Sequence, residues 1–281
     1  MSGTLYLVAT PIGNLEDMTY RAVRVLGEVD LIAAEDTRNS IKLLNHFDIH
    51  TPMTSYHEHN KYEKAEELME KLRSGTNIAV ISDAGTPGIS DPGEVLVDMC
   101  INEGITVVPV PGACAAVNAL ISSGQSSRRF TFEGFLPYDK KERVQVLEGL
   151  KDETRPILMY EAPHKLEKTL KALEEVLGSD RSISLCKEIT KKHENVSKTT
   201  IGEALKALED NPPKGEYVLV ISGRDKAEIE EERAAKWDSM SVEDHIRMYM
   251  EQGLTKKDAV KKVAADRNMN KREVYDIGIN L

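Results

Sequence analysis

Four segments of the chain concentrate glycine, proline and small polar residues in a way that suits ligand binding by backbone. Thr10-Pro11-Ile12-Gly13-Asn14 follows an apolar run, and Ser82 to Gly93 reads SDAGTPGISDPG. Pro111-Gly112-Ala113-Cys114-Ala115-Ala116 is made almost wholly of small residues, and Tyr160-Glu161-Ala162-Pro163-His164 sets a proline at a helix start. Glycine lets backbone amides approach a ligand closely, and proline stiffens the loop that carries them. The chain contains neither GxGxxG nor GxxxxGK[ST], so dinucleotide and P-loop readings lose their main support. A plain turn explains the first segment equally well, and helix–sheet packing the third. The second carries more features than a turn needs, including Asp91, Pro92 and Glu94 as a helix-start signal. Glu35, Asp36, Glu161, Lys187 and Glu188 stand at the ends of apolar runs, as groups able to take a proton.

The elements that must position these loops follow from periodicity. Leu5–Ala9, Leu31–Ala34, Ile78–Ser82 and Ile105–Val110 are short apolar runs that predict strands. Amphipathic stretches at Thr19–Leu26, Thr37–Phe47, Lys61–Ser74 and Pro92–Glu103 predict helices between them, with Gly27, Gly75 and Gly104 as C-caps. Alternation of this kind implies a mostly parallel sheet covered on both faces. In such sheets ligands bind beyond the carboxyl ends of the strands, where the four loops lie. Ile121 to Arg129 is small, polar and without period, and reads as a linker. A second α/β run follows, with strands near Phe130–Phe135, Ile157–Tyr160, Ser182–Lys187 and Tyr217–Ser222. Its helices are expected over Lys140–Leu150, Pro163–Leu177 and Gly202–Glu209. The expected organisation is an α/β domain over 1–123, a second over 124–223 and a charged linker with a three-helix tail over 224–281.

The tail shows three helix starts: Ser241, Thr255 and Asn270 each precede a carboxylate by three residues, the spacing of a capping box. Each cap is worth about 1 kcal/mol. Apolar residues at helical spacing follow, with Met248 and Met250 read as core. No apolar stretch approaches the roughly 18 residues that a bilayer span needs. The first run is too short for a signal sequence and lacks a basic lead. Cys100, Cys114 and Cys186 are widely separated in apolar surroundings and read as reduced core thiols of a cytoplasmic protein. His57-Glu58-His59 would place two imidazoles on one strand face without a third partner, so no metal site is expected. The net charge of −10 argues against indiscriminate nucleic-acid binding.

The segments Val8–Leu15 (VATPIGNL), Ala34–Arg38 (AEDTR), Ser82–Gly93, Pro111–Ala115 and Tyr160–Lys165 (YEAPHK), taken together, closely resemble one bacterial group. It comprises the 16S rRNA cytidine 2′-O-ribose methyltransferases of the tetrapyrrole methylase superfamily. The likeness runs from about Thr4 to Gly223. It implies a homodimer that holds S-adenosyl-L-methionine between two α/β domains and acts on 16S rRNA of the small ribosomal subunit. It further implies that Asp83, Ala84, Gly85 and Pro87 hold the methionine end, while Ile89, Ser90, Ala113, Cys114 and Ala115 line the pocket. Tyr160 and the neighbourhood of Leu185 would close it from the second domain, with Pro11 at the mouth where the acceptor enters.

A sulfonium donor already carries a good leaving group, so the protein's task is largely alignment of acceptor, methyl and sulfur. A ribose hydroxyl is a poor nucleophile, which makes Glu35, Asp36, Lys187 and Glu188 candidate bases. Lys187 is alternatively a phosphate ligand, like Lys191, and Arg38, two residues after Asp36, would hold either a carboxylate or a phosphate. For RNA contact the tail offers Lys256, Lys257, Lys261, Lys262, Arg267, Lys271 and Arg272 against Asp258, Asp266 and Glu273. Arg128, Arg129, Lys140, Lys141 and Arg143 form a second basic cluster; ordinary solvated faces explain both sets equally well. Two other readings stay open: a methyltransferase acting on a tetrapyrrole precursor, and a non-catalytic RNA-binding or assembly protein.

Overall fold

The computed structural model describes residues 2–279 and 281; Met1 and Asn280 lie outside that description. The first half alternates β1 (Leu5–Val8), α1 (Tyr20–Glu28), β2 (Leu31–Ala34), α2 (Thr37–His46), β3 (Met53–Ser55), α3 (Lys61–Arg73), β4 (Ile78–Ile81), α4 (Gly93–Asn102), β5 (Val107–Val110) and α5 (Ala115–Ser122). Its sheet is entirely parallel, in the order β3-β2-β4-β1-β5. β4 is buried along its whole length because both faces are covered. Ile78 and Val80 join Leu5, Leu68, Leu72 and Leu96 on one face. Ala79 and Ile81 meet Val8, Val25, Leu26 and Leu44 on the other. Each fully buried leucine of this kind contributes roughly 1.5–3 kcal/mol against exposure.

Helix ends follow the local chemistry. Thr19 accepts from the Ala22 amide at 3.1 Å to start α1, and Asp36 accepts from the Arg38 amide at 2.9 Å to start α2. Gly75 and Gly104 terminate helices with positive φ, as expected for C-caps. Gly27 does not: α1 continues through it to Glu28, and the Val29 amide still bonds the Val25 carbonyl. β3, three half-buried residues on the sheet edge, was too short and polar to read from periodicity. His57 and His59 lie in the turn after β3 and not in a strand, their rings 6.0 Å apart.

The second run comprises β6 (Thr131–Phe135), α6 (Lys140–Gly149), β7 (Ile157–Glu161), α7 (Pro163–Leu177), β8 (Ser182–Lys187), β9 (Asn195–Thr200), α8 (Ile201–Asp210) and β10 (Tyr217–Ile221). The sheet order is β6-β7-β10-β8-β9. Five of the eight strand pairings in the described chain are parallel, as the α/β reading expects. The second sheet taken alone departs from that expectation: only β6 and β7 run parallel. The link from β8 to β9 covers residues 188–194, far short of the dozen or more residues that a parallel crossover requires. β9 itself, mostly polar and at an edge, carried no apolar signal. The short apolar helix α5 belongs to the first half by sequence but packs on the second sheet. There Ala116, Ala119 and Leu120 meet Leu158, Cys186, Val218 and Val220.

Packing separates two compact units, one of Met1–Glu148 with Pro156–Ser222 and one of Gly149–Arg155 with Gly223–Leu281. In the second, Arg224 donates to Asp152 at 2.9 Å and its amide to the Glu153 carbonyl at 2.8 Å. This unit carries α9 (Lys226–Ala235), α10 (Val242–Glu251), α11 (Lys256–Asp266) and α12 (Lys271–Ile277). Ser241, Thr255 and Asn270 cap the last three, and Ile246, Val260, Val263 and Val274 form the core. Trp237 stacks on the fully buried His245 ring at 3.7 Å. The Arg267 Nε donates to His245 Nδ1 at 3.1 Å, which fixes the neutral tautomer with its proton on Nε2, toward Asp266 at 3.5 Å. Burial first, and the facing guanidinium second, hold the imidazole below its ordinary range, partly offset by Asp266.

Because the unfolded histidine takes its proton more readily, this contribution to stability is complete above about pH 6.5 and lost as pH falls. Thermal unfolding followed by the fluorescence of Trp237, the chain's single tryptophan, should show a lower midpoint at pH 5.5 than at pH 7.5. A His245→Asn chain should lose most of that difference; an equal pH dependence in both chains contradicts it.

Candidate active site

The strand order places β2, β4, β1 and β5 side by side, so the loops at their carboxyl ends form one continuous rim. Backbone ties these loops together. The Thr10 amide donates to the Gly85 carbonyl at 2.8 Å, and the Gly85 amide returns a bond to Thr10 at 3.1 Å. The Thr86 hydroxyl donates to the Ala113 carbonyl at 3.0 Å, joining the β4 loop to the β5 loop. On the other side the Asp83 amide donates to Glu35 at 3.3 Å, and the Asp36 amide donates to Asp83 at 3.1 Å. Gly85 stands at φ +87°, where a Cβ would also crowd Ile12 at 3.2 Å. The Asp91 carboxylate gathers the Gly88 amide at 2.8 Å and the Gly93 amide at 2.9 Å, so it folds the whole turn as well as opening α4. Tyr56, unremarked in the sequence, braces the same turn from beneath by donating to the Pro92 carbonyl at 2.8 Å.

Between this rim and the second sheet lies a cavity of about 340 Å³, within the size range of small-molecule and cofactor sites. Asp83, Ala84, Gly85, Ile89, Ser90, Cys114, Ala115 and Tyr160 all line it, as do Glu35, Glu188 and Lys191. Cys100 and Cys186 are buried, but Cys114 is half-buried on the cavity wall and so is not a core thiol. Tyr160 accepts a hydrogen bond from the Ala116 amide at 3.3 Å, so its hydroxyl caps the start of α5. Burial pushes that phenol up to about 12, keeping it protonated. Phe132 and Phe135 contact its ring at 5.1 and 5.5 Å.

Other expected residues fall elsewhere. Leu185 pairs with Leu219 in a register where the neighbouring Val218 and Cys186 face α5, and side chains alternate along a strand. Leu185 therefore faces away from the cavity, and Cys186 takes its place on the wall. Pro11 and Pro87 are buried within their loops and do not line the cavity, where Ile12 and Thr86 stand instead. Ala113 contributes its carbonyl to Thr86 and leaves the wall to Cys114 and Ala115.

The candidate proton acceptors separate by environment. Asp36 accepts from Arg38 through Nε at 3.1 Å and Nη2 at 2.8 Å, and this pairing holds its carboxyl down at about 2. A carboxylate so stabilised is a weak base. Glu188 takes the Glu216 amide at 2.9 Å and Lys191 at 3.0 Å, and is also held low, first by that amide. Lys187 lies outside the cavity wall. Glu35 differs: it is half-buried on the wall, and desolvation raises its pKa; the Asp83 amide bond opposes this, while the charges of Asp83 and Asp91 add to it. The two last were not foreseen as its neighbours, since the fold alone brings residues 35, 83 and 91 together.

The expected RNA contacts also divide. Lys191 is committed to Glu188 and Glu216, at 3.0 and 2.8 Å, with its methylenes laid over Gly13. Arg38 remains 88% exposed while anchored to Asp36. In the tail, Lys256 donates to the Ile279 and Leu281 carbonyls at 3.0 and 3.1 Å, and Arg267 is held by His245 and Met240. Lys257, Lys261 and Arg272 are exposed without an ion pair among the described residues. Arg143, taken with a surface cluster, is instead buried.

The family model described as Tetrapyrrole (Corrin/Porphyrin) Methylases matches residues 4–205, and the chain belongs to this family of methyltransferases. It is 48% identical over 282 residues to "Ribosomal RNA small subunit methyltransferase I" of Synechocystis sp., covering 99% of this chain and 98% of that one. It is 49% identical to the protein of that name from Bacillus subtilis, covering 98% and 93%. The fold matches uroporphyrin-III C-methyltransferase from Thermus thermophilus in complex with S-adenyl homocysteine, with TM-score 0.55 and 16% identity over 78% of this chain and 97% of that one. Among the described residues no helix is long and apolar enough to cross a membrane.

Gly85→Ala should lower stability by about 1–2 kcal/mol, since an L side chain is disfavoured at this φ. Urea unfolding of the two proteins checks this, and equal midpoints would refute the strained-turn account.

Proposed function

We propose that the chain methylates 16S rRNA of the small ribosomal subunit in the cytoplasm, as a homodimer, with S-adenosyl-L-methionine as donor and the ribose 2′-hydroxyl of a cytidine as acceptor. The observation that carries the substrate is the near-half identity, over almost the whole chain, to relatives named for small-subunit ribosomal RNA. The 2′-oxygen, the cytidine and the dimer rest on the motif likeness of the β1, β2, β4, β5 and β7 loops.

The cavity residues fit the donor. Such a group supplies a methyl on a cationic sulfur, and Glu35, Asp83 and Asp91 give that side of the wall carboxylate character. Gly85 presents backbone where a Cβ would intrude, and Ile12, Ile89, Cys114 and Tyr160 offer apolar surface to the remainder. The loops grip through amides and carbonyls already bonded to one another, so little ordering is left to binding. Orientation of the acceptor against the rim provides most of the rate. Glu35 takes the hydroxyl proton at its carboxylate: its surroundings raise its proton affinity, and a higher proton affinity makes a stronger general base.

Glu35→Gln should lower kcat by about 10²–10⁴-fold while leaving donor affinity, measured by calorimetry, near that of the parent. Because the carboxyl pKa is raised, the acid limb of kcat/KM against pH should lie above that of an unperturbed glutamate and vanish in the variant. Full activity of Glu35→Gln removes the residue from the mechanism. The reading as a whole is tested by labelled donor with unmodified small subunits, followed by mapping of the methylated nucleotide. No label in RNA overturns it.

Lys257, Lys261 and Arg272 make the tail an RNA-positioning element. Deleting the residues after Arg224 should weaken RNA binding and flatten its dependence on salt, because fewer counterions are released. Donor affinity should be unchanged. Equal RNA affinity of the two chains by filter binding rules this role out.

A further inference from the structure

We infer that Tyr138 is a stacking platform for an unpaired RNA base at the mouth of the cleft, an inference that rests on the RNA reading above. Phe135, at the end of β6, lines the cavity with its ring 5.5 Å from Tyr160. Three residues later Tyr138 stands 84% exposed. A ring of this size left in water carries an avoidable hydration cost unless something covers it in use.

The loop that holds it is rigidly built. Arg143 reaches back from α6, only 7% exposed, and its Nη1 donates to the Pro137 carbonyl at 3.3 Å and the Tyr138 carbonyl at 3.1 Å. Its Nε finds no partner among the described residues. Burial of a guanidinium is costly, and here it serves to fix the backbone on which Tyr138 is mounted. Asp139 then starts α6 by accepting from the Lys141 and Glu142 amides at 2.9 and 3.0 Å. A ring held this way loses little freedom when a base settles on it.

The charge around the ring selects the partner. The ammonium groups of Lys165 and Lys168 lie 5.6 and 5.7 Å from its centroid. They are three residues apart on α7 and therefore share one helix face. Neither forms an ion pair among the described residues, and the intervening Glu167 is bound by Lys171 at 2.6 Å. An exposed aromatic face beside two uncompensated cations suits a base and its flanking phosphates, the combination used for single-stranded nucleic acid. α7 begins at Pro163, directly after the cavity residue Ala162. Tyr138 stands three residues from the cavity residue Phe135, and Lys165 three residues from the cavity residue Ala162, close enough to serve one nucleotide and its neighbour.

The test measures binding of the full chain, without donor, to a single-stranded ribo-oligonucleotide and to its counterpart with abasic positions. Tyr138→Ala should weaken binding to the first by about tenfold, since stacking is worth roughly 1–3 kcal/mol per base. It should leave the abasic oligomer unaffected, while Tyr138→Phe should bind both like the parent. Lys165→Gln with Lys168→Gln should weaken both oligomers and reduce the salt slope. With labelled donor and small subunits, Tyr138→Ala should raise KM with kcat nearly kept. Its melting temperature should match the parent, as expected of an exposed ring. Equal loss on both oligomers, or no loss, overturns the inference. So does a loss seen with intact subunits but not with naked RNA, which would mark a protein-docking residue. A parent chain that methylates rRNA while Tyr138→Ala behaves identically sinks only this inference; a parent that transfers no methyl to RNA sinks the reading beneath it.

Discussion

The site depends on the order β2-β4-β1-β5, because no single loop of this chain could enclose a ligand. Each contributes a few backbone groups, and only adjacency turns them into a wall. The reciprocal bonds between Thr10 and Gly85 act as a clasp across β1 and β4, and the Thr86–Ala113 bond extends it to β5. Asp83 then connects the wall to the β2 loop by accepting from the Asp36 amide and giving its own amide to Glu35. The parallel sheet makes these contacts inexpensive in conformational freedom, since strand pairing has already brought the loop bases together. Glycine at 85 is required twice, once for its dihedral and once for clearance from Ile12.

Electrostatics is partitioned with similar economy. The carboxylates that could compete for a proton are mostly satisfied: Asp36 by a guanidinium, Glu188 by an amide and an ammonium, Asp91 by two turn amides. Glu35 keeps a raised proton affinity, because partial burial, with two like charges nearby, outweighs the Asp83 amide that it accepts. Lys191, held between Glu188 and Glu216, neutralises the opposite wall in place of reaching outward. The overall acidic balance is therefore compatible with a basic surface elsewhere, on α7 and in the tail.

Much of this was legible from residue order. Four of the five strands of the first sheet, the loops after them and three capped tail helices follow from apolar runs, glycine and capping side chains, and the structure shows them with shifts of a residue or two. What failed to register has a common cause. β3 and β9 are polar edge strands whose pairing comes from their neighbours and not from their own period. The neighbourhood of Leu185 reaches the wall through Cys186, one residue on, because consecutive residues of a strand face opposite sides. The grouping of Glu35, Asp83 and Asp91, and the inward turn of Arg143, arise from contacts between distant segments. No local pattern encodes them.

The position of β10 has a consequence for synthesis. It is the last strand made, yet it sits in the middle of the second sheet, between β7 and β8. The apolar side of α5 must wait for Val218 and Val220 before it is covered. While the ribosome is still translating, the first sheet can close by itself, whereas the second half has no centre until residue 221 has emerged. The nascent chain therefore passes through a stage with a finished rim and no opposing wall. Donor capture must wait until β10 has emerged, although not for the tail that follows it, so a truncated product lacking β10 would be unable to sequester the donor.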